Sequence, residues 1–117
     1  MPLGRHLLAD LQGISKKFLS NPQFIEDVMR KAAIAAGATP IFGKFHHFGE
    51  GLGVTGVLLL KESHISIHTW PEHGFAAVDV FMCGECQPET AIDILREAMR
   101  PTNVSVKSEP RGIVINF

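Results

Sequence analysis

Residues 61–74 read KESHISIHTWPEHG, and the chain continues through an alternating apolar run to Cys83. This stretch holds three histidines, two serines, two glutamates and a tryptophan, and apolar runs flank it on both sides. Burying polar side chains is costly unless they have partners or a chemical task. We therefore take residues 61–83 as the segment around which the fold and the function are organised.

Loop lengths predict how this segment pairs. Residues 65–70 and 75–82 alternate as strands do, and a short loop at 71–74 joins them into a hairpin. Counting outward from the loop gives the facing pairs: Trp70 with Phe75, and Ser63 with Met82. The same count places the Cys83 thiol beside the Glu62–Ser63 bond.

The preceding run, residues 53–60, pairs with the segment from the other side. It is nearly all apolar, which predicts a strand covered on part of both faces. If the chain turns tightly at Lys61 and Glu62, Leu60 faces Ser63 and the Thr55 hydroxyl lies beside the His68 imidazole. A two-residue hairpin loop favours Gly, Asn or Asp, so this loop is either wider or strained.

The rest of the chain is predicted to form two helices and further strands before and after the segment. Apolar residues recur at helical spacing after Pro22 until Gly37, and after Pro88 until Pro101. Further strands are expected at 6–11, 38–48, 104–106 and 113–115, with a turn at 110–112. The order predicts an α+β fold, a two-layer sandwich of two helices on one face of a mainly antiparallel sheet.

Composition limits the class of protein. With 117 residues, 45% hydrophobic and 20% charged, and no linker or repeat, residues 1–117 are expected to form a single domain. A formal net charge of -1 argues against a nucleic-acid partner. No apolar run is long enough for a bilayer and no signal peptide is apparent, so we expect a cytoplasmic protein with no membrane partner.

The two cysteines, Cys83 and Cys86, are too few for a disulfide framework. Their C-x-x-C spacing also occurs in redox and zinc sites. A redox motif should open a helix in a parallel βαβ unit, and structural zinc needs four ligands, for which only His46 and His47 remain. We therefore expect no metal site.

Several motifs link the chain to a known family. They are Gly4-Arg5-His6-Leu7, Phe45-His46, Gly53-Val54-Thr55-Gly56-Val57, Glu62-Ser63-His64, Ile67-His68-Thr69-Trp70-Pro71-Glu72, Ala77-Val78-Asp79-Val80-Phe81 and Cys83-Gly84. Together they resemble the prokaryotic S-adenosylmethionine decarboxylase proenzymes in order and near-family spacing. The run from Glu62 to Glu72 is the most specific part.

The resemblance implies a self-cleaving precursor. Ser63 would attack the carbonyl of Glu62, and elimination and hydrolysis would leave a pyruvoyl group at position 63 and the fragments 1–62 and 63–117. His68 would transfer protons during this processing, as such a step requires. Thr55, which stands where the family usually has serine, would assist it.

The resemblance also implies the chemistry of the mature enzyme. The pyruvoyl group would replace an external cofactor, form a Schiff base with the substrate amine and accept the electrons released with carbon dioxide. Cys83 would then return a proton to the product. Phe48 would stack on adenine, Trp70 would form a second apolar wall, and Glu72 would accept hydrogen bonds from the ribose.

The match departs from the family in the pocket. The loop 49–52 is about one residue longer, and His73 and Phe75 stand where tyrosines are common. Two alternatives to a decarboxylase of S-adenosylmethionine therefore stay open: the same machinery acting on arginine or ornithine, and an unprocessed, non-catalytic homologue. In the last case Ser63 is surface, Cys83 a small core residue and His68 a half-buried histidine.

Strand length separates the candidate groups. From Ser63 to His68 is about 17 Å of strand. One chain therefore carries two half-sites, and a two-fold homodimer would join each half to the opposite half of its partner. We expect composite active sites at that interface.

Overall fold

The structure, a computed structural model, describes residues 2–115. Its elements are β1 (Pro2–Gln12), α1 (Lys16–Leu19), α2 (Pro22–Ala35), β2 (Pro40–His47), β3 (Val54–Leu60), β4 (Ser63–Trp70), a 3₁₀ turn (Pro71–His73), β5 (Phe75–Cys83), α3 (Pro88–Met99) and β6 (Asn103–Ile113). The strands form one sheet in the order β2-β3-β4-β5-β1-β6, and all neighbours are antiparallel. The predicted α+β sandwich is confirmed.

The two long helices begin and end where the sequence predicts. The Asn21 side chain accepts a hydrogen bond from the Phe24 N–H at 3.0 Å, and Pro22 occupies the first turn, so α2 starts there. Its buried stripe includes Ile25 and Met29, which are fully buried. Helices α2 and α3 pack against each other and against the sheet. The short helix α1 was not predicted.

Within residues 2–115 the helices cover one face of the sheet. Alternate residues of β1, β5 and β3 are buried beneath the helices, as Leu7, Val78 and Leu58 illustrate. The expectation that β3 is covered on part of both faces holds on the second face only at Val57, which is half-buried, because Leu59 stays 44% exposed and Thr55 is exposed. The second face is therefore open.

The carboxy-terminal prediction is wrong. Instead of two short strands around a turn at 110–112, the chain runs straight through as β6, which pairs with β1 along its length, Pro110 lying opposite Arg5. Strand β6 lies at the edge of the sheet, where a proline that donates no hydrogen bond is tolerated. Gly112 has φ +75°, which glycine accepts readily without ending the strand.

The strand register predicted from loop lengths is confirmed. The facing pairs are Trp70 with Phe75, Ser63 with Met82, Leu60 with Ser63, and Thr55 with His68. The turn at 61–62 is therefore tight. Within the described chain Arg100 is the only non-glycine residue with positive φ, so Lys61 and Glu62 do not adopt the conformation that two-residue hairpins favour.

Candidate active site

The turn between β3 and β4 is held by contacts rather than by turn residues. The Lys61 N–H donates to the Thr39 carbonyl at 3.0 Å, and the Thr39 N–H donates to Glu62 Oε1 at 3.0 Å. These two bonds tie the Glu62–Ser63 bond to the segment that leads into β2. Thr39 was not predicted, because it lies 23 positions from its partner Glu62.

Two of the predicted catalytic residues meet the predicted cleavage-site residue Glu62 at this turn. The Cys83 thiol donates to the carbonyl oxygen of Glu62 at 2.7 Å, and the Ser63 hydroxyl lies 3.8 Å from the Cys83 sulfur. Both Ser63 and Cys83 are half-buried. A thiol hydrogen-bonded to a backbone carbonyl draws electrons from its carbon, which favours attack by a nearby hydroxyl.

The other end of β4 carries a stack of rings. His68 lies against Trp70 with ring centroids 4.0 Å apart and planes within 10°, and Trp70 lies 5.2 Å from Phe75. His68 and Trp70 are two apart on a strand, so both project from the open face. Thr55 is the cross-strand neighbour of His68 in the register.

A cleft of about 250 Å³ at this end brings together all three predicted substrate-binding residues. It is lined by Phe48, Leu52, Gly53, His68, Thr69, Trp70 and Glu72. Phe48 is 53% exposed, and its ring lies 6.3 Å from that of His68. The carboxylate of Glu72 is exposed at the rim. The arrangement suits a flat aromatic ligand with a polar end.

The loop between β2 and β3 gives this cleft a residue that the sequence did not indicate. Leu52 donates its N–H to the Gly49 carbonyl at 2.9 Å, and Phe48 donates to Gly53 at 3.0 Å. His47 Nε2 lies 3.2 Å from the Leu52 carbonyl oxygen. These bonds fold the loop back on itself so that Leu52 lines the cleft.

Thr69 supports the same end from the buried face. It is 2% exposed, and its hydroxyl accepts from the Val54 N–H at 2.9 Å and donates to the Leu19 carbonyl at 2.7 Å. These bonds join β4 to the start of β3 and to α1. Thr69 thereby positions its neighbours His68 and Trp70, a role that the sequence did not indicate.

A second cavity of about 430 Å³ lies on the open face. Its polar lining consists of Lys44, His46, Thr55, Ser66, His68 and Asp79. The Ser66 hydroxyl lies 3.4 Å from Asp79 Oδ2, and His6 Nε2 lies 3.5 Å from Asp79 Oδ1. The distance between His6 and Asp79 is within salt-bridge range. The buried His6 Nε2 makes no hydrogen bond within residues 2–115. His68 lines both cavities.

The structure thus divides the predicted residues into two groups. Glu62, Ser63 and Cys83 contact one another at one end of β4, while His68 and the cleft lie at the other end. The same residues 2–115 contain no cluster of three His, Cys, Asp or Glu side chains suited to a metal ion. No helix in this part of the chain is long and apolar enough to cross a membrane.

Comparisons with known proteins agree on one family. A family model described as S-adenosylmethionine decarboxylase matches residues 5–112. An S-adenosylmethionine decarboxylase proenzyme of Methanococcus vannielii is 48% identical over 113 residues, covering 96% of this chain and 92% of that protein. One from Thermotoga petrophila is 45% identical over 111 residues, covering 94% and 85%.

A solved structure extends the agreement to the fold. The crystal structure of the adenosylmethionine decarboxylase from Aquifex aeolicus VF5 matches with a TM-score of 0.89 and 39% identity. The match covers 99% of this chain and 96% of that one. With a family model spanning most of the sequence and relatives this similar, the chain belongs to the S-adenosylmethionine decarboxylase family.

Proposed function

We propose that this chain is a self-processing, pyruvoyl-dependent decarboxylase of S-adenosylmethionine that supplies the aminopropyl donor for polyamine biosynthesis. Membership of the family supports the activity. The observation that carries the mechanism is the Cys83 thiol donating to the Glu62 carbonyl, with the Ser63 hydroxyl 3.8 Å from its sulfur. A nucleophile, an electrophile and a donor therefore meet at the bond to be cleaved.

Processing begins with Ser63. Its hydroxyl oxygen attacks the Glu62 carbonyl carbon, the amide C–N bond breaks, and an ester and a free amine result. His68 then removes the α-proton of residue 63, and the Glu62 carboxylate leaves. The dehydroalanine formed tautomerises to an imine, and water converts the imine to a ketone with release of ammonia. The products are fragments 1–62 and 63–117.

The strand arrangement fits a cleaved product that stays folded. Position 63 is the first residue of β4, and it pairs with Leu60 on one side and with Met82 on the other. Breaking the chain before it leaves every ladder of the sheet in place. A pyruvoyl group at position 63 would consequently remain fixed beside the Cys83 thiol.

The mature site uses this group together with the chain's own residues. The pyruvoyl group supplies a ketone that binds the substrate amine and accepts the electrons released with carbon dioxide. Cys83, half-buried beside position 63, donates the proton that the product needs. Phe48 and Trp70 hold the adenine between apolar surfaces, and Glu72 accepts hydrogen bonds from the ribose.

We further propose a homodimer, because the groups that this chemistry needs lie at opposite ends of β4. The five-residue separation of Ser63 and His68 corresponds to about 17 Å of strand. A two-fold axis would bring the Ser63 end of one protomer to the His68 end of its partner. The open face supports this arrangement, since Leu8 and Leu59 are 38% and 44% exposed there.

Two measurements test the proposal. Intact mass should give two fragments, with the carboxy-terminal one beginning at the group formed from Ser63. Carbon dioxide release should then occur with S-adenosylmethionine and not with arginine or ornithine. An unbroken chain would indicate a non-catalytic homologue, and release from either amino acid would move the substrate assignment to that compound.

A further inference from the structure

Cys86 is a second thiol near the cleavage site, and the proposed mechanism does not use it. It is half-buried, and its sulfur lies 3.6 Å from the Gly37 carbonyl oxygen. Burial raises the pKa of the Cys86 thiol, and the nearby Glu62 carboxylate and Cys83 raise that pKa further. Cys86 therefore shares its surroundings with two residues of the proposed site.

The chain geometry holds the two cysteines close together. Gly84 and Glu85 form a turn, and Cys83 and Cys86 flank it. The end residues of a β-turn have Cα atoms less than about 7 Å apart, and disulfides join Cα atoms about 4.4–6.8 Å apart. Gly84 has φ +70°, and a Cβ there would meet nothing within 4 Å, so the turn conformation, not crowding, calls for glycine.

The turn is anchored on both sides. The Gly84 N–H donates to the Leu3 carbonyl at 3.4 Å, and the Gln87 N–H donates to the Ala36 carbonyl at 2.8 Å. These bonds fix the backbone of the turn against β1 and the end of α2. Little chain entropy is left to lose when the sulfurs join, which favours the linked state.

We infer that Cys83 and Cys86 form a reversible disulfide that switches the enzyme off, an inference that rests on the proposed function of Cys83. The disulfide removes the only hydrogen on the Cys83 sulfur, so neither the bond to the Glu62 carbonyl nor the proton for the product remains. Reduction restores both. Position 86 thereby becomes a redox modification site of the chain.

The reaction balances with a peroxide as oxidant. The Cys83 sulfur attacks one peroxide oxygen, giving a sulfenic acid and water. The Cys86 sulfur then displaces the hydroxyl group from the Cys83 sulfur, releasing a second water as the disulfide forms. Two electrons pass from the sulfurs to hydrogen peroxide. The attacking species in the second step is the Cys86 thiolate. Because the pKa of Cys86 is raised, more thiolate forms as the pH rises, and the disulfide should form faster.

The test uses the processed protein, with hydrogen peroxide as the probe. Trypsin should yield one peptide ending at Arg96 that carries both cysteines and contains no internal Lys or Arg. After peroxide this peptide should take up no iodoacetamide and should weigh two hydrogen atoms less. Dithiothreitol should restore two alkylation sites and the decarboxylase activity.

Cys86→Ser is the matched variant, because it keeps the size of the side chain and leaves Cys83 untouched. It should decarboxylate normally before oxidation. With excess peroxide its Cys83 should advance to sulfinic acid, which dithiothreitol does not reverse. Equal recovery of variant and wild type would overturn the inference, and so would two alkylated cysteines in oxidised wild-type protein.

The peptide measurement is repeated on the unprocessed Ser63→Ala chain, which separates this inference from the proposed function. The linkage should form there too, because the turn does not depend on cleavage. If the linkage forms while the reduced wild-type protein has no decarboxylase activity, the proposed function fails. If the linked wild-type protein remains active, the switch is overturned.

Discussion

At the Ser63 end of β4 the polar atoms contact one another, whereas at the His68 end the side chains stack as rings beside an open cleft. The first end is tied down by backbone hydrogen bonds through Thr39 and by the Cys83 thiol. The second is shaped by Trp70 and Phe48, the latter more than half exposed. The geometry of the first end suits attack on a peptide bond, and that of the second suits the binding of a ligand.

Under the proposed function, this difference leaves a single chain without a complete site. Bond cleavage needs groups fixed within hydrogen-bond distance, and those are gathered by the tight turn at 61–62. Ligand binding needs an accessible concave surface, and the open sheet face provides one. Because both depend on β4, the strand itself keeps them apart, and we expect a partner subunit to reunite them.

The largest expected effect concerns the Ser63 end. Ser63→Ala should yield an intact and inactive chain, because the attacking oxygen is gone while a half-buried side chain loses one atom. Intact mass and carbon dioxide release measure this. Ser105→Ala, on the exposed edge strand β6, should be cleaved as wild type. Two fragments from the Ser63 variant would show that another group starts the cleavage.

Cys83→Ala should separate the two reactions at the same end. A missing proton donor reduces the rate of a proton-transfer step by a factor of about 100 to 10,000, so decarboxylation should fall by that much. Cleavage should be slower but complete, since the Glu62 carbonyl loses a hydrogen bond and keeps its nucleophile. Normal turnover in this variant would assign Cys83 to packing alone.

Much of the site was predictable because it depends on local counting. Each cross-strand pair follows from two loop lengths, and a hairpin with alternating residues has few other registers. Residues whose partners lie far along the chain escaped prediction. The Thr69 hydroxyl donates a hydrogen bond to the Leu19 carbonyl, 50 positions away, and neither residue type predicts such a contact.

The errors have physical causes as well. Pro110 and Gly112 are typical turn residues, but at a sheet edge the same residues fit an extended strand. The apolar composition of β3 predicted cover on part of both faces, and within residues 2–115 the second face is partly covered only at Val57. The apolar residues left exposed there support the dimer proposal, since a second subunit would cover them.

Thr69→Val tests whether the His68 end depends on its buried support. The change leaves the Val54 N–H and the Leu19 carbonyl without their partner, at a cost of about 1–3 kcal/mol in unfolding free energy for each buried group. Urea unfolding measures this loss. Thr55→Val, at an exposed position of β3, should change stability little. Equal unfolding free energies of the two variants would show that the Thr69 hydroxyl does not stabilise this end of β4.

The smallest effect, a factor of about four, tests the separation of the two ends most directly. Ser63→Ala and His68→Ala chains carry defects in opposite halves, so each alone should be nearly inactive. In a co-expressed random mixture about half of the dimers are mixed, and each mixed dimer has one intact site of two. Roughly a quarter of the wild-type sites should therefore be active.

The identity of the cleaved chain makes the test specific. In a mixed dimer the intact site combines Ser63 of the His68→Ala chain with His68 of the Ser63→Ala chain. Differently tagged chains should accordingly show cleavage of the His68→Ala chain alone. The tags also prove that mixed dimers form. If they form and the mixture is no more active than its separate parts, both half-sites belong to one chain. The roughly 17 Å of strand between Ser63 and His68 must then be bridged within the protomer.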